Sequence, residues 1–187
     1  EKAAKSTLLS ELGLEPKGYA LATLHRPANV DIAEALRGFL EAFSRIQQQI
    51  PLVFQIHPRT RKKIETFGLE PLLESMKNLH LLEPTGYVDF LHLQENARLA
   101  LVDSGGIQEE TTVLGVPCLT LRDNTERPVT IEHGTNQLIG RDPDKIVAAA
   151  LELLDGKDMP ARVPELWDGH SAERLVEVLS RGVVRRV

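Results

Sequence analysis

Cysteine is nearly absent. Cys118 is the one thiol in 187 residues, so no internal disulfide framework staples the chain, and a reducing compartment suits it. Aromatic residues make up only 4%, and no apolar run approaches the roughly 20 residues that a membrane helix needs. The opening segment EKAAKSTLLSELG carries no apolar signal-peptide stretch, and the expectation is a soluble cytoplasmic protein without a membrane partner. Excess positive charge is missing too. A formal net charge of -5 argues against a nucleic-acid partner, because phosphate neutralisation needs clustered Lys and Arg. Neither G-x-G-x-x-G nor G-x-x-x-x-G-K-[ST] occurs, so dinucleotide-redox and P-loop readings lose their main support. The six His residues form no H-E-x-x-H pair, and neither a metal nor another cofactor is expected. Cys118 lies in an apolar segment and reads as a small buried residue.

What is present is ordinary for one globular domain: 42% hydrophobic and 26% charged residues. At this length a chain buries roughly 70% of its unfolded surface, enough for one substantial core. Apolar periodicity switches repeatedly between 2 and 3.6 residues. Strands are predicted at Gly18–Leu24, Leu52–Ile56, Leu79–Leu82, Leu99–Asp103, Pro117–Leu121 and Asn136–Ile139. Between them, a helix is predicted from Asp31, with Asp31-x-x-Glu34 read as a capping box and Leu36, Phe39, Leu40, Phe43 and Ile46 as its apolar stripe. Further helices are predicted up to Gly68, over Val88–Ala97, from about Gly106 to Leu114 before Gly115, and over two closing segments, Asp142–Leu154 and His170–Ser180. The terminal Arg181–Val187 reads as a solvated helix end. About six short strands alternating with helices imply an α/β fold, a Rossmann-like doubly wound parallel sheet. Ligands of such sheets sit beyond the carboxyl ends of the strands.

The loops at those ends hold the candidate chemistry. Asp103-Ser104-Gly105-Gly106 runs from a buried strand into a helix. Its two glycines let backbone N–H groups approach an anion, the helix start adds partial positive charge, and Ser104 adds a hydroxyl. Glu110 lies one turn further in, suited to accepting hydrogen bonds from ribose hydroxyls. The plainer alternative is a tight turn that needs glycine for packing alone. DSGG also occurs around protease nucleophiles, but a strand-to-helix context with no G-x-S-x-G excludes that reading. His25 and His57 each follow a strand, where an imidazole can donate to phosphate or move a proton. Arg122 and Arg127 follow another; a guanidinium there suits a diphosphate. One of the two is expected to be structural, with Asp123 and Glu126 as ready partners.

Four segments carry a resemblance: LATLHRPANVD (21–31), QIHPRT (55–60), LLEPTGYVDFLHL (81–93) and LVDSGGIQEETTVLGVPCLTLRDNTERPVTIEHGTNQLIG (101–140). Through them the chain resembles the non-hydrolysing UDP-N-acetylglucosamine 2-epimerases. The resemblance implies a GT-B-type architecture of two Rossmann-like domains closing on a nucleotide sugar. It implies that residues 1–187 are the second, UDP-binding domain with its closing helices, and that the first domain is absent from this chain. The reaction implied is inversion at C2 of UDP-GlcNAc to UDP-ManNAc by elimination and re-addition of UDP. The acidic residues proposed for proton transfer belong largely to the absent domain, so this half alone is expected to be nearly inactive. Carried over by position, Ser104, Gly105 and Gly106 would hold the diphosphate and Glu110 the ribose. Thr85 and Phe90 would contact uracil, Arg127 would stand near the nucleotide, and His25 would act near the phosphate and sugar. His57 would approach the sugar or an effector molecule. The partners implied are UDP, a UDP-N-acetylhexosamine and, for the whole protein, a second copy in a homodimer. One departure stands out: many members read H-R-R-E-N, where this chain has His25-Arg26-Pro27-Ala28-Asn29. That puts in doubt any contact made by the missing Glu. Competing readings are a GT-B glycosyltransferase using a UDP-sugar, a hydrolysing relative, and a non-catalytic UDP-sugar binding module. The RDNTERP segment favours the epimerase.

Overall fold

The computed structural model describes residues 6–157, 159 and 162–181. Its elements run α1 (Leu8–Glu11), β1 (Ala20–Thr23), α2 (Pro27–Val30), α3 (Ala33–Ile46), β2 (Leu52–Gln55), α4 (Pro58–Phe67), α5 (Glu70–Glu74) and β3 (Leu79–Leu82). They continue as α6 (Tyr87–Asn96), β4 (Leu99–Val102), α7 (Gly105–Leu114), β5 (Cys118–Thr120), α8 (Val129–Glu132), β6 (Asn136–Leu138), α9 (Pro143–Leu154) and α10 (Ser171–Ser180). All six predicted strands form, each within two residues of its expected bounds.

The strands make one all-parallel sheet in the order β3-β2-β1-β4-β5-β6. Successive side chains point to opposite faces, so both faces of β1 and β4 are apolar and buried. Ala20, Ala22, Leu99 and Leu101 face a core built with Leu36, Phe39, Leu40, Phe43 and Ile46, the predicted stripe of α3, and with α9. Phe43 meets Phe54 edge-on, with ring centroids 5.4 Å apart. Each such fully buried aromatic contributes roughly 1.5–3 kcal/mol. On the other face Leu21, Val53, Ala100 and Val102 are covered by α1, α6 and α7. Chain order reverses between β1 and β4. Their carboxyl ends therefore diverge into loops on opposite faces and open a crevice.

Helix ends follow local chemistry. α4 and α9 each begin on proline at the first helical position. His57 Nδ1 accepts from Arg59 N–H at 3.1 Å, and Asp142 accepts from the N–H groups of Asp144 and Lys145. Gly68 and Gly115 close α4 and α7 in the left-handed conformation, at φ 63° and 68°.

Three expectations need correction or completion. The Asp31–Glu34 capping box does not form: α3 starts at Ala33 after an extended Ile32 with no side-chain cap. Asp31 instead ends α2, and its carboxylate is taken by Arg59 and Lys63. The Arg59 hydrogen bond, against an opposing effect of desolvation, holds that carboxyl below its usual range. The one-turn helices α1, α2, α5 and α8 were not foreseen. Of the two closing helices, α9 packs on α3, whereas α10 buries none of its residues. The expected solvated end at 181–187 lies, beyond Arg181, outside the described residues.

Candidate functional site

Asp103 organises the crevice. It ends β4 with a fully buried carboxylate, an arrangement that is costly unless every oxygen is bonded. Its Oδ2 accepts from the N–H groups of Arg26 (2.9 Å) and His25 (3.1 Å) and from Asn29 Nδ2 (3.1 Å). Its Oδ1 lies 2.8 Å from His25 Nδ1. Burial alone would raise this carboxyl's pKa. The hydrogen bonds from the His25 ring and the Arg26 amide outweigh it, and the net shift is downward. A carboxylate that close to Nδ1 places a ring proton there, so that Nε2 is the acceptor whenever the ring is neutral. Asn29 Nδ2 also donates to the carbonyl of Leu121 at 2.9 Å. The loops after β1, β4 and β5 are thereby tied together.

The neighbouring rim is built likewise. His57 stands beside His25, with ring centroids 5.8 Å apart at 42°. Because His57 Nδ1 caps α4 as an acceptor, its own proton sits on Nε2. The two imidazoles thus carry their held protons differently, His25 on Nδ1 and His57 on Nε2. Ser104, half-buried and extended, precedes α7, and Gly105 and Gly106 form its first turn, their N–H groups without a partner among the described residues. Arg26 Nη2 lies 4.0 Å from where a Cβ on Gly105 would stand. Glu126 bridges Arg26 (3.0 Å) and Arg122 (2.5 Å), and chiefly the Arg122 hydrogen bond pulls its carboxyl down to about 2.

Arg127 is engaged rather than free. Its Nε donates to Glu109 Oε1 at 2.5 Å, joining the loop after β5 to α7. Both arginines of that loop therefore have carboxylate partners. Asp123, expected to serve one of them, pairs with Arg141 instead. Thr125 Oγ1 donates to the buried Gln108 Oε1 at 2.6 Å, and Gln108 Nε2 reaches the Ser104 carbonyl at 3.2 Å. Thr85 accepts from Gln55 Nε2 at 3.0 Å, which fixes the loop after β3.

Glu110 is half-buried on α7. Gln94 Nε2 of α6 donates to its Oε2 at 2.7 Å. Tyr87 stands beside it, its phenol held above the ordinary range mainly by the negative charge of Glu110. Glu110 lines a cleft of about 480 Å³ with Tyr87, Leu91, Val113 and Trp167, within the range of small-molecule sites. Phe90 is half-buried and packs on Val102, Ile107 and Cys118 as part of the core. Cys118 is buried as expected, and burial pushes its thiol up to about 12.

The structure brings His25, His57, Ser104, Gly105 and Gly106 to the carboxyl rim. It sets Glu110 one turn deeper and Arg127 across α7. The sequence reading passed over Asp103, Gln94, Gln108 and Arg26 as site residues. Asp103 had a visible signal: an acid closing an otherwise apolar strand. Gln94 had one as well, since it shares its helix face with Phe90, Leu93 and Ala97.

A family profile described as UDP-N-acetylglucosamine 2-epimerase matches residues 1–180. The chain is 45% identical over 166 residues to the UDP-N-acetylglucosamine 2-epimerase of Methanocaldococcus jannaschii, covering 88% of this chain and 45% of that protein. It is 37% identical to the UDP-2,3-diacetamido-2,3-dideoxy-D-glucuronate 2-epimerase of Pseudomonas aeruginosa, over 92% of this chain and 47% of that one. A crystal structure of the M. jannaschii enzyme in complex with UDP-GlcNAc and UDP superposes with a TM-score of 0.81 at 40% identity, over 96% of this chain and 50% of that one. The chain spans about half the length of these relatives. No helix among the described residues is long and apolar enough to cross a membrane.

Proposed function

The chain belongs to the UDP-N-acetylglucosamine 2-epimerase family, and from that premise we propose that it is the UDP-binding half of a two-domain isomerase interconverting UDP-GlcNAc and UDP-ManNAc. One observation carries the proposal. An anion-ready turn, Ser104–Gly106, opens α7 at the switch point of the sheet, and a carboxylate, Glu110, stands one turn deeper beside a cleft. The diphosphate is assigned to the N–H groups of Gly105 and Gly106 and the hydroxyl of Ser104, and the ribose hydroxyls to Glu110. Thr85 and Phe90 border the uracil, and Arg127, oriented by Glu109, faces the nucleotide.

In the proposed reaction UDP leaves C1 as a proton leaves C2, giving a glycal; UDP then returns to C1 on its original face while a proton returns to C2 on the opposite face, so that only C2 is inverted. Donors fixed beforehand stabilise the charge that develops on the departing diphosphate, which is the share of catalysis this half supplies. His25, its Nδ1 held by Asp103, is placed to exchange a proton through Nε2 near the diphosphate and sugar. His57 offers an N–H beside it, toward the sugar or an effector. Proton removal at C2 is assigned to acidic groups of the other half. The whole protein is proposed to be a cytoplasmic homodimer without a nucleic-acid partner.

Calorimetric titration of the 187-residue chain with UDP, with AMP and free GlcNAc as controls, tests the reading. Selective UDP binding in the high micromolar to millimolar range is expected of half a cleft, roughly 4–6 kcal/mol. Glu110→Ala should weaken it by about 1–3 kcal/mol. Equal binding of AMP and UDP would refute uracil recognition and with it the proposed function.

A further inference from the structure

Gln94 is fully buried on α6, on the face shared with Phe90, Leu93 and Ala97. A position chosen for packing alone would carry an apolar residue there, as its neighbours do. Gln94 instead donates through Nε2 to Glu110 Oε2 at 2.7 Å, and its Oε1, buried, has no hydrogen-bond partner among the described residues. The amide cannot be turned round: Oε1 would then meet a carboxylate oxygen at hydrogen-bonding distance with no proton between them. The residue therefore accepts an unsatisfied buried oxygen in order to hold one oxygen of Glu110. That combination lowers stability and is retained where a site needs it.

We infer that Gln94 is a positioning residue for ribose recognition: its buried amide clamps the Glu110 carboxylate so that the remaining lone pairs face a vicinal diol. The inference rests on the assignment of the ribose to Glu110. A carboxylate offers about four lone-pair sites. Gln94 uses one, fixes the plane of the group, and removes the torsional freedom that a half-exposed glutamate on a helix would have to lose on binding. Tyr87 stands beside the carboxylate on the exposed surface of the same helix pair. The cleft lined by Tyr87 and Glu110 is the open direction for the diol.

The test compares UDP with 2′,3′-dideoxy-UDP on the same 187-residue chain and on Gln94→Met, which keeps the volume and removes the donor. The unsubstituted chain should prefer UDP by roughly tenfold to a hundredfold, the value of hydrogen bonds to a charged acceptor. Gln94→Met should lose most of that preference, about tenfold, through weaker UDP binding while dideoxy-UDP affinity stays within twofold. It should also unfold at an equal or higher urea concentration than the unsubstituted chain. A second measurement needs no variant: the side-chain amide NMR signals of Gln94 should shift on adding UDP and not on adding dideoxy-UDP. A retained preference in Gln94→Met, or equal loss for both nucleotides, would make Gln94 a packing residue and overturn the inference while leaving Glu110 in place. No preference in the unsubstituted chain would instead remove the ribose from Glu110, and both readings would fall.

Discussion

Asp103→Asn is the most informative single change at the rim, because it keeps shape and removes one charge. An amide must turn an NH2 toward one of the two sets of donors. Toward Arg26 N–H and Asn29 Nδ2 it would leave buried donors facing donors. Toward His25 it asks that the imidazole present an unprotonated Nδ1 and that the His25 N–H, shared between both oxygens, bond to Oδ2 alone. The second arrangement wins, so the variant should keep its fold and reverse the His25 tautomer. Four contacts change from charge-assisted to neutral, each weaker by about 1 kcal/mol, and relief of carboxylate desolvation returns about half of it. The net loss should be about 2 kcal/mol, or a urea midpoint lower by about 1 M at a slope of about 2 kcal/mol/M. The pH dependence fixes the sign. The folded-state pKa of Asp103 lies below its unfolded value. Its contribution is therefore complete above about pH 4 and is lost as pH falls through the lower folded value. The gap between the two proteins should be full at pH 7 and narrow below about pH 4. Urea unfolding at several pH values and nitrogen NMR of the imidazoles read both effects. Equal stability at pH 7, or a His25 that keeps its Nδ1 proton in the variant, would refute this account.

Two further changes probe the scaffold. Gly134→Ala would place a Cβ 2.5 Å from the Thr130 carbonyl oxygen and 2.6 Å from Thr112 Oγ1, so a loss of about 3 kcal/mol is expected in thermal unfolding; a change under about 0.5 kcal/mol would mean the α8–β6 corner yields freely. Cys118, with its thiol raised to about 12 by burial, should resist a disulfide reagent at pH 8 and react only at the rate of unfolding. Rapid labelling without denaturant would contradict the packing of β5.

The parts of the fold that were legible share one property: they depend on neighbours close in sequence. Both faces of β1 and β4 are buried, so their apolar runs identify them, and the stripe from Leu36 to Ile46 marks α3. The pattern fails where a turn of helix is too short to show a period, as at Pro27–Val30 and Val129–Glu132. Asp31 shows a second kind of failure. Its spacing from Glu34 fits a capping box, but α2 rotates the residue toward Arg59 and Lys63, and tertiary charges outbid a local cap. Arg127 fails the same way, since its partner Glu109 lies on α7 rather than in its own loop. The candidate site was legible as a set of strand-end loops. The hydrogen bonds that aim its residues were not, because they join those loops to one another.

That distinction settles what the departure at positions 27 and 28 does. Arg26 is extended with ψ 134°, the conformation a following proline favours, and Pro27 opens α2 at a position where no N–H is needed. Ala28 contributes its carbonyl, which accepts from Arg141 Nη1 at 3.2 Å. The rest of the loop is held by Asp103 on two backbone amides and by Asn29 on Asp103 and Leu121. None of these bonds involves a side chain at 27 or 28. The position of His25 therefore does not depend on the side chains at 27 and 28. What Pro27 and Ala28 set is the surface presented by the rim between Arg26 and Arg141, which at these two positions is uncharged. His25 keeps its anchor in Asp103, and the loop keeps its shape from proline geometry and from the hydrogen bonds of the Asp103 and Asn29 side chains.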